Sequence, residues 1–248
     1  MNKKETIQLA DDSEISILWN TVNNAKAQVI FAHGAGANMN HEFMNEMSAL
    51  FNNLGINVLR FNFPFMDKRA LTGKRYPPDR MPKLLACYKA VIHYLNAENT
   101  KQTQQGLSKH LPLFIGGKSM GSRVAATLVA KKGNVIEPDD LTDNELNSIS
   151  GVFCFGYPFH PTKKPDKLRL EPLQSSAKPI LIVQGERDTL GDKAEIIDYQ
   201  LPEHCQCVFL DDGDHSLKPR VKSGFTYAEH MKGAAKEVTA FIEHLTSQ

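Results

Sequence analysis

Five largely apolar runs constrain this chain more than any other feature: AQVIFA (27–32), INVLRFNF (56–63), LPLFIGG (111–117), GVFCFGYPF (151–159) and KPILIVQG (178–185). They lack the strict apolar–polar alternation of a half-exposed strand and read as strands buried on both faces. Helical patterns fall between them. Phe43, Met47, Leu50, Phe51 and Leu54 recur at helical spacing with Gly55 as a stop, and Met81, Leu84, Leu85, Tyr88, Ile92 and Leu95 mark a second helix. SRVAATLVAKKG and YAEHMKGAAKEVTAFIEHL supply two more, AEIIDYQ is a short one, and CQCVFLDDG is the last strand. Doubly buried strands alternating with helices imply a mostly parallel sheet with helices on both faces. TIQLA, a DDS turn and EISILW add an N-terminal antiparallel hairpin. PFMDKRALTGKRYPP reads as a long loop, and NVIEPDDLTDNELNS (134–148) as a surface excursion.

Composition narrows the function class. With 248 residues, 41% hydrophobic and 23% charged, and no linker-like break, the chain is expected to form a single domain, 1–248. A net charge of +1 gives no bulk attraction to nucleic acid or an anionic membrane, so neither is expected as a partner. No apolar run approaches the ~18 residues that span a bilayer. The N-terminal stretch MNKKETIQLADDSEIS has no apolar signal core, and a cytoplasmic location is expected. Four cysteines make no disulfide framework. Cys205 and Cys207 read as same-face strand positions without further ligands at metal spacing, so no metal or cofactor is expected.

The stretch GGKSMGSR (116–123) admits two readings. A phosphate-binding loop needs G-x-x-x-x-G-K-[ST], but counting back from Gly117 and Gly116 reaches Pro112 and Leu111. The intervening PLFI is strand and cannot wrap phosphates. A nucleophile elbow needs G-x-S-x-G between a strand and a helix, and Gly117, Ser119 and Gly121 satisfy it there. The elbow then requires an acid and a histidine, in that order, beyond the carboxyl ends of later strands. Asp188 follows KPILIVQG, and His215 follows CQCVFLDDG. Backbone amides must face the developing oxyanion. Met120, directly after the serine, and Ala35, in the HGAG loop (33–36), are the candidates.

Rivals exist at each position. Glu186 and Asp192 compete with Asp188, although Asp192 could instead cap a helix. His160, His204 and His230 compete with His215, but His204 precedes its strand and His230 lies in a helix. His160 and Tyr157, at the carboxyl end of GVFCF, are candidates for a substrate rim, as are Arg69 and Arg75 in the basic stretch 67–80. A basic rim would favour anionic acyl substrates. His33 is expected to shape its loop, Lys118 to pair with an acid such as Glu186, and Arg123 to make a structural ion pair.

FAHGAGANMNHEFM, VLRFNFPFMDK with PPDR, GGKSMGSRVA, GYPFHP, ILIVQGERD and DGDHSL together resemble the α/β-hydrolases, from about residue 29 to 245. More narrowly, they are similar to the lid-poor dienelactone-hydrolase-like branch related to the testis-expressed, histone-acetyltransferase-complex-associated hydrolase-like group. The resemblance implies the α/β-hydrolase fold, with Ser119 as nucleophile, Asp188 as orienting acid and His215 as general base. Dienelactone hydrolases carry cysteine where Ser119 stands, which argues against dienelactone chemistry here. HPTKKPDKLRLEPLQSSAK (160–178) is too short for a cap domain, although Leu168, Leu170 and Leu173 allow one short helix. An open site for a small soluble acyl substrate is the expectation. A serine peptidase and a non-catalytic interaction module on the same scaffold are the alternatives, and the sequence leaves the oligomeric state open.

Overall fold

In a computed structural model the chain is described for residues 2–104, 111–131 and 141–247. The apolar runs form the middle of one eight-stranded sheet. Its strands are β1 (Asn2–Gln8), β2 (Glu14–Asn20), β3 (Ala27–Ala32), β4 (Ile56–Phe61), β5 (Leu113–Lys118), β6 (Ile149–Phe155), β7 (Ile180–Gly185) and β8 (Cys205–Leu210). The spatial order is β1-β2-β4-β3-β5-β6-β7-β8. β1 pairs antiparallel with β2, and β2 with β4; every later pairing is parallel.

Because side chains alternate across a strand, β3 feeds two cores. Val29 and Phe31 pack under α1 (Glu42–Asn53) and α8 (Tyr227–Thr246). Ile30 and Ala32 pack under α3 (Met81–Gln104) and α4 (Met120–Leu128). The first core is aromatic: Phe31 lies 5.8 Å from both Phe153 and Phe155 and 6.1 Å from Phe51, ring centre to ring centre. Each fully buried ring contributes about 1.5–3 kcal/mol by leaving water. In the second core the Tyr88 hydroxyl accepts the Gly116 N–H and lies 2.9 Å from the Ile30 and Gly116 carbonyls, so it bonds to backbone of both central strands.

Two connections differ from the sequence expectation, and a third, between β6 and β7, agrees with it. PFMDKRALT is a helix, α2 (Pro64–Thr72), begun by a proline at its first position and ended by Gly73 at φ 67°. In the polar stretch, residues 134–140 lie outside the described part. Asp143–Ser148 form α5, whose Thr142 and Glu145 make a reciprocal capping box. Between β6 and β7 the helical content is one turn, α6 (Glu171–Gln174), with Leu173 buried and Leu168 exposed. No cap domain stands over the sheet's carboxyl edge among the described residues. A short α7 (Lys193–Asp198) precedes β8. Among the described residues no helix is long and apolar enough to cross a membrane.

Candidate active site

β3 and β5 are neighbours in space but not in sequence, and the crevice at their carboxyl ends is where such sheets place ligands. β5 runs into α4 through a sharp turn at Ser119, which sits at φ 54° and ψ −113°. That conformation costs an L-residue about 1–3 kcal/mol and persists where the surroundings enforce it. Two glycines permit the turn. A carbon added to Gly117 would lie 2.4 Å from the Gly121 carbonyl carbon, and one added to Gly121 would lie 2.6 Å from the Ala32 oxygen. The obstructing atoms are backbone and cannot swing aside.

The structure brings Ser119, His215 and Asp188 together across three loops. Ser119 Oγ is 2.9 Å from His215 Nε2, and His215 Nδ1 is 2.7 Å from Asp188 Oδ2. Asp188 is completely buried, and its oxygens also accept from Gln184 Nε2 at 3.0 Å and the Leu190 amide at 2.9 Å. These bonds fix the carboxylate against rotation. The His215 side chain keeps 30% of its surface exposed, so the serine–imidazole face opens to solvent. The loops after β7 and β8 are tied beside the site, where Arg187 Nε donates to the Asp212 carbonyl at 3.0 Å and lies 2.8 Å from its carboxylate, and Glu186 accepts the Asp212 N–H at 3.0 Å. Gln184 escaped the sequence reading; its signal was the lone polar side chain ending ILIVQG.

The rivals have other partners. Glu186 also binds Lys193, at 3.0 Å, and Asp192 caps α7. His204 bonds the Leu173 carbonyl, and His230 the Leu217 carbonyl behind the His215 loop. The rim expectation needs correction. Tyr157 is wholly buried, its ring 5.0 Å from that of Phe159 and its hydroxyl donating to the Arg169 carbonyl. His160 is 4% exposed and faces Glu195 Oε2 at 3.4 Å. Sitting at the correct strand end placed their backbones near the site, but their rings turn into the core. Arg69 is half-buried, holding the Tyr76 carbonyl and lying over Phe65, while Arg75 is exposed. Arg123 makes no ion pair among the described residues, and its Nε is buried without a partner.

Met120 is the first residue of α4, so its N–H has no intrahelical acceptor. The Ala35 N–H has no acceptor among the described residues. Between them, a carbon added to Gly34 would stand 3.5 Å from Ser119 Cβ, so the HGAG loop passes directly over the serine. His33 fixes that loop. It is wholly buried, accepts the Phe63 N–H at Nε2 (3.0 Å), and Nδ1 donates to the Gly34 carbonyl (2.7 Å). Burial pushes its pKa down to about 4. In the unfolded chain a histidine takes its proton near ~6.5, so between those values the unfolded state binds the extra proton. The stability contributed by neutral His33 is therefore present above that range and lost as pH falls through it, about 3 kcal/mol in all. Urea unfolding of wild type and His33→Leu between pH 7 and pH 4 measures the difference. The variant is expected to be the weaker at pH 7 and to show the shallower acid loss; parallel curves would contradict the assignment.

A cleft of about 800 Å³ begins at Ala35 and Gly36 and is walled by Arg69, Lys74, Arg75 and Tyr76. A slightly larger hollow, about 870 Å³, lies across the same segment against the N-terminal hairpin, and neither hollow is lined by Ser119, Asp188 or His215. Among the described residues no group of three or more His, Cys, Asp or Glu side chains gathers as a metal site.

Comparison with known proteins agrees with this architecture. The alpha/beta hydrolase domain family matches residues 25–243. Among solved structures, a dienelactone hydrolase from Anabaena variabilis superposes with a TM-score of 0.68 at 16% identity, covering 98% of each chain. XC6422 from Xanthomonas campestris, a serine hydrolase without a lid, gives 0.60 at 15% identity over 99% of this chain and 94% of that one. The esterase Pf2001 of Pyrococcus furiosus gives 0.65 at 20% identity, over 98% and 92%. Likeness at these identities speaks for the fold.

Proposed function

The chain belongs to the alpha/beta hydrolase domain family, and from that premise we propose that it is a serine hydrolase of the carboxylesterase or thioesterase type. The observation that carries the reading is the unbroken path Ser119 Oγ–His215 Nε2–His215 Nδ1–Asp188 Oδ2, with neither link longer than 2.9 Å. Ser119 attacks the acyl carbonyl as its proton passes to His215 Nε2, and the carbonyl oxygen becomes an oxyanion facing the Met120 and Ala35 amides. Collapse of this intermediate breaks the bond to the leaving group, which takes the proton from His215. Water then attacks the acyl-enzyme with His215 again as base, releasing the acid and restoring Ser119. Asp188 holds the imidazole tautomer and stabilises the imidazolium that forms twice per cycle.

The finer kinship we propose is to the lid-poor dienelactone-hydrolase-like branch and the testis-expressed, histone-acetyltransferase-complex-associated group, with one domain over the whole chain. Four free cysteines suit a reducing compartment, the cytoplasm. The proposed substrate is a small soluble acyl compound bearing a negative charge. Both carboxylates of the 67–80 segment are spent internally: Asp67 accepts from the Ser16 amide and Asn62, and Asp79 from the Phe65 amide. Lys74 and Arg75 therefore line the cleft as exposed cations without a neighbouring acid there.

A panel of short esters tests both levels. Turnover of any neutral p-nitrophenyl ester supports the hydrolase. Its hemisuccinate or another carboxylate-bearing counterpart of equal length is expected to show kcat/KM about tenfold higher at low salt, an advantage lost in Lys74→Glu/Arg75→Glu. Equal kcat/KM for the two esters, unchanged by the charge reversals, would sink the substrate assignment.

A further inference from the structure

Lys118 does not pair with Glu186. Its ammonium, at the end of β5, donates to the backbone carbonyl of His215 and lies 5.7 Å from the centre of the Phe43 ring on α1. No carboxylate forms an ion pair with it among the described residues; Asp188, beyond β7, and Asp214, beyond β8, are the acids whose fields reach it. Gly156, at the end of β6, leaves the room. A carbon added there would stand 2.5 Å from Lys118 Nζ, 3.0 Å from the His215 carbonyl oxygen and 3.3 Å from His215 Nδ1. Ammonium and imidazole are thus within about 6 Å, close enough for a like charge to move a titration.

Two consequences follow from that placement. Lys118 is adjacent to Ser119, so one hydrogen bond sets the spacing between the nucleophile turn and a loop 97 residues away. Its ammonium also places a positive charge on the Nδ1 side of the His215 ring, the side that Asp188 occupies, and a like charge there opposes the gain of a proton. An imidazole that must be neutral to accept the serine proton gains from that opposition. We propose that Lys118 is a positioning residue of the hydrolase, resting on the serine-hydrolase reading above: its ammonium ties the His215 loop to the nucleophile turn and keeps the imidazole in its proton-accepting form. Burial agrees with this placement, pulling the lysine down to about 8, with Asp188 and Asp214 only partly opposing.

The test compares wild type, Lys118→Met, Lys118→Gln and Lys118→Arg by kcat and KM across pH 5–9, and by NMR titration of His215. Lys118→Met is expected to lose about tenfold in kcat at pH 7 with KM within about twofold, the pattern of a lost transition-state interaction. Its acid limb and its His215 titration are expected to move up by about half a pH unit or more, because a neighbouring positive charge has gone. Lys118→Arg keeps the charge and is expected to hold the acid limb near wild type, even where kcat falls. Lys118→Gln, which keeps a polar side chain and removes the charge, is expected to shift the limb in the same direction as Lys118→Met. It also supplies the measurement if Lys118→Met does not fold. A His215 titration unmoved in Lys118→Met or Lys118→Gln would overturn the inference, whatever the loss of kcat. Wild type inactive on every ester would instead overturn the hydrolase reading, and the NMR titration would still decide the role of Lys118.

Discussion

Ser119→Ala is expected to lower kcat/KM for an activated ester by on the order of 10⁴-fold or more, with KM little changed and the fold intact. In the proposed mechanism the Ser119 hydroxyl has two roles. Its oxygen is the atom that bonds to the acyl carbon, and its proton is the one aimed at His215 Nε2. Removing it deletes the covalent route and leaves only the contribution of the Met120 and Ala35 amides to water attack. The fold should not suffer, because Ser119 Oγ bonds nothing but His215 among the described residues. Because the triad acts as a unit, adding His215→Ala to Ser119→Ala should cost little more than either change alone. A double variant slower by the product of the two single losses would mean that the residues act separately.

The second large effect is on folding. Gly121→Ala is expected to destabilise by more than about 4 kcal/mol, lowering Tm by roughly 10 °C or more, or to yield no folded protein. The added carbon would meet the Ala32 and His33 carbonyl oxygens at 2.6 and 2.7 Å. Those atoms belong to the end of β3 and the start of the loop over Ser119, so relief would require moving the helix, the central strand or both. Gly233 in α8 provides the control, since nothing lies within 4 Å of its added carbon. Gly233→Ala should therefore stabilise by up to about 1 kcal/mol through helix propensity. Thermal unfolding of both variants measures the contrast; comparable Tm values would show that the elbow is not held by this close approach.

The central strands were legible because burial on both faces leaves long apolar runs that loops and surface helices do not imitate. The order serine, acid, histidine was legible because the fold obliges each to follow a strand. Asp188 against Glu186 was a matter of two residues in one turn, and only the third dimension separates a buried carboxylate facing His215 from one engaged with Lys193 and the Asp212 amide. The helix Pro64–Thr72 was misread although its proline start and glycine stop were both present, because the charged run Asp67 to Arg69 interrupts its apolar pattern. Tyr157 and His160 show the other limit. Chain position locates a backbone relative to the sheet, but packing decides whether a ring faces the crevice or the core. Lys118 and Arg123 failed similarly, since the partner of a long cation depends on what the fold brings to it. For Lys118 that is the His215 carbonyl; nothing in the structure explains the buried, unpartnered Nε of Arg123.

The central claim is that Ser119 is a nucleophile activated by His215, and covalent labelling tests it most directly. A fluorophosphonate reacts with an activated serine and becomes fixed to its oxygen, so intact mass and peptide mapping read the site. The account predicts one label per chain, on Ser119, abolished in Ser119→Ala and slowed as pH falls and the imidazole protonates. A wild-type protein that takes no label, or a label that persists in Ser119→Ala, would contradict it.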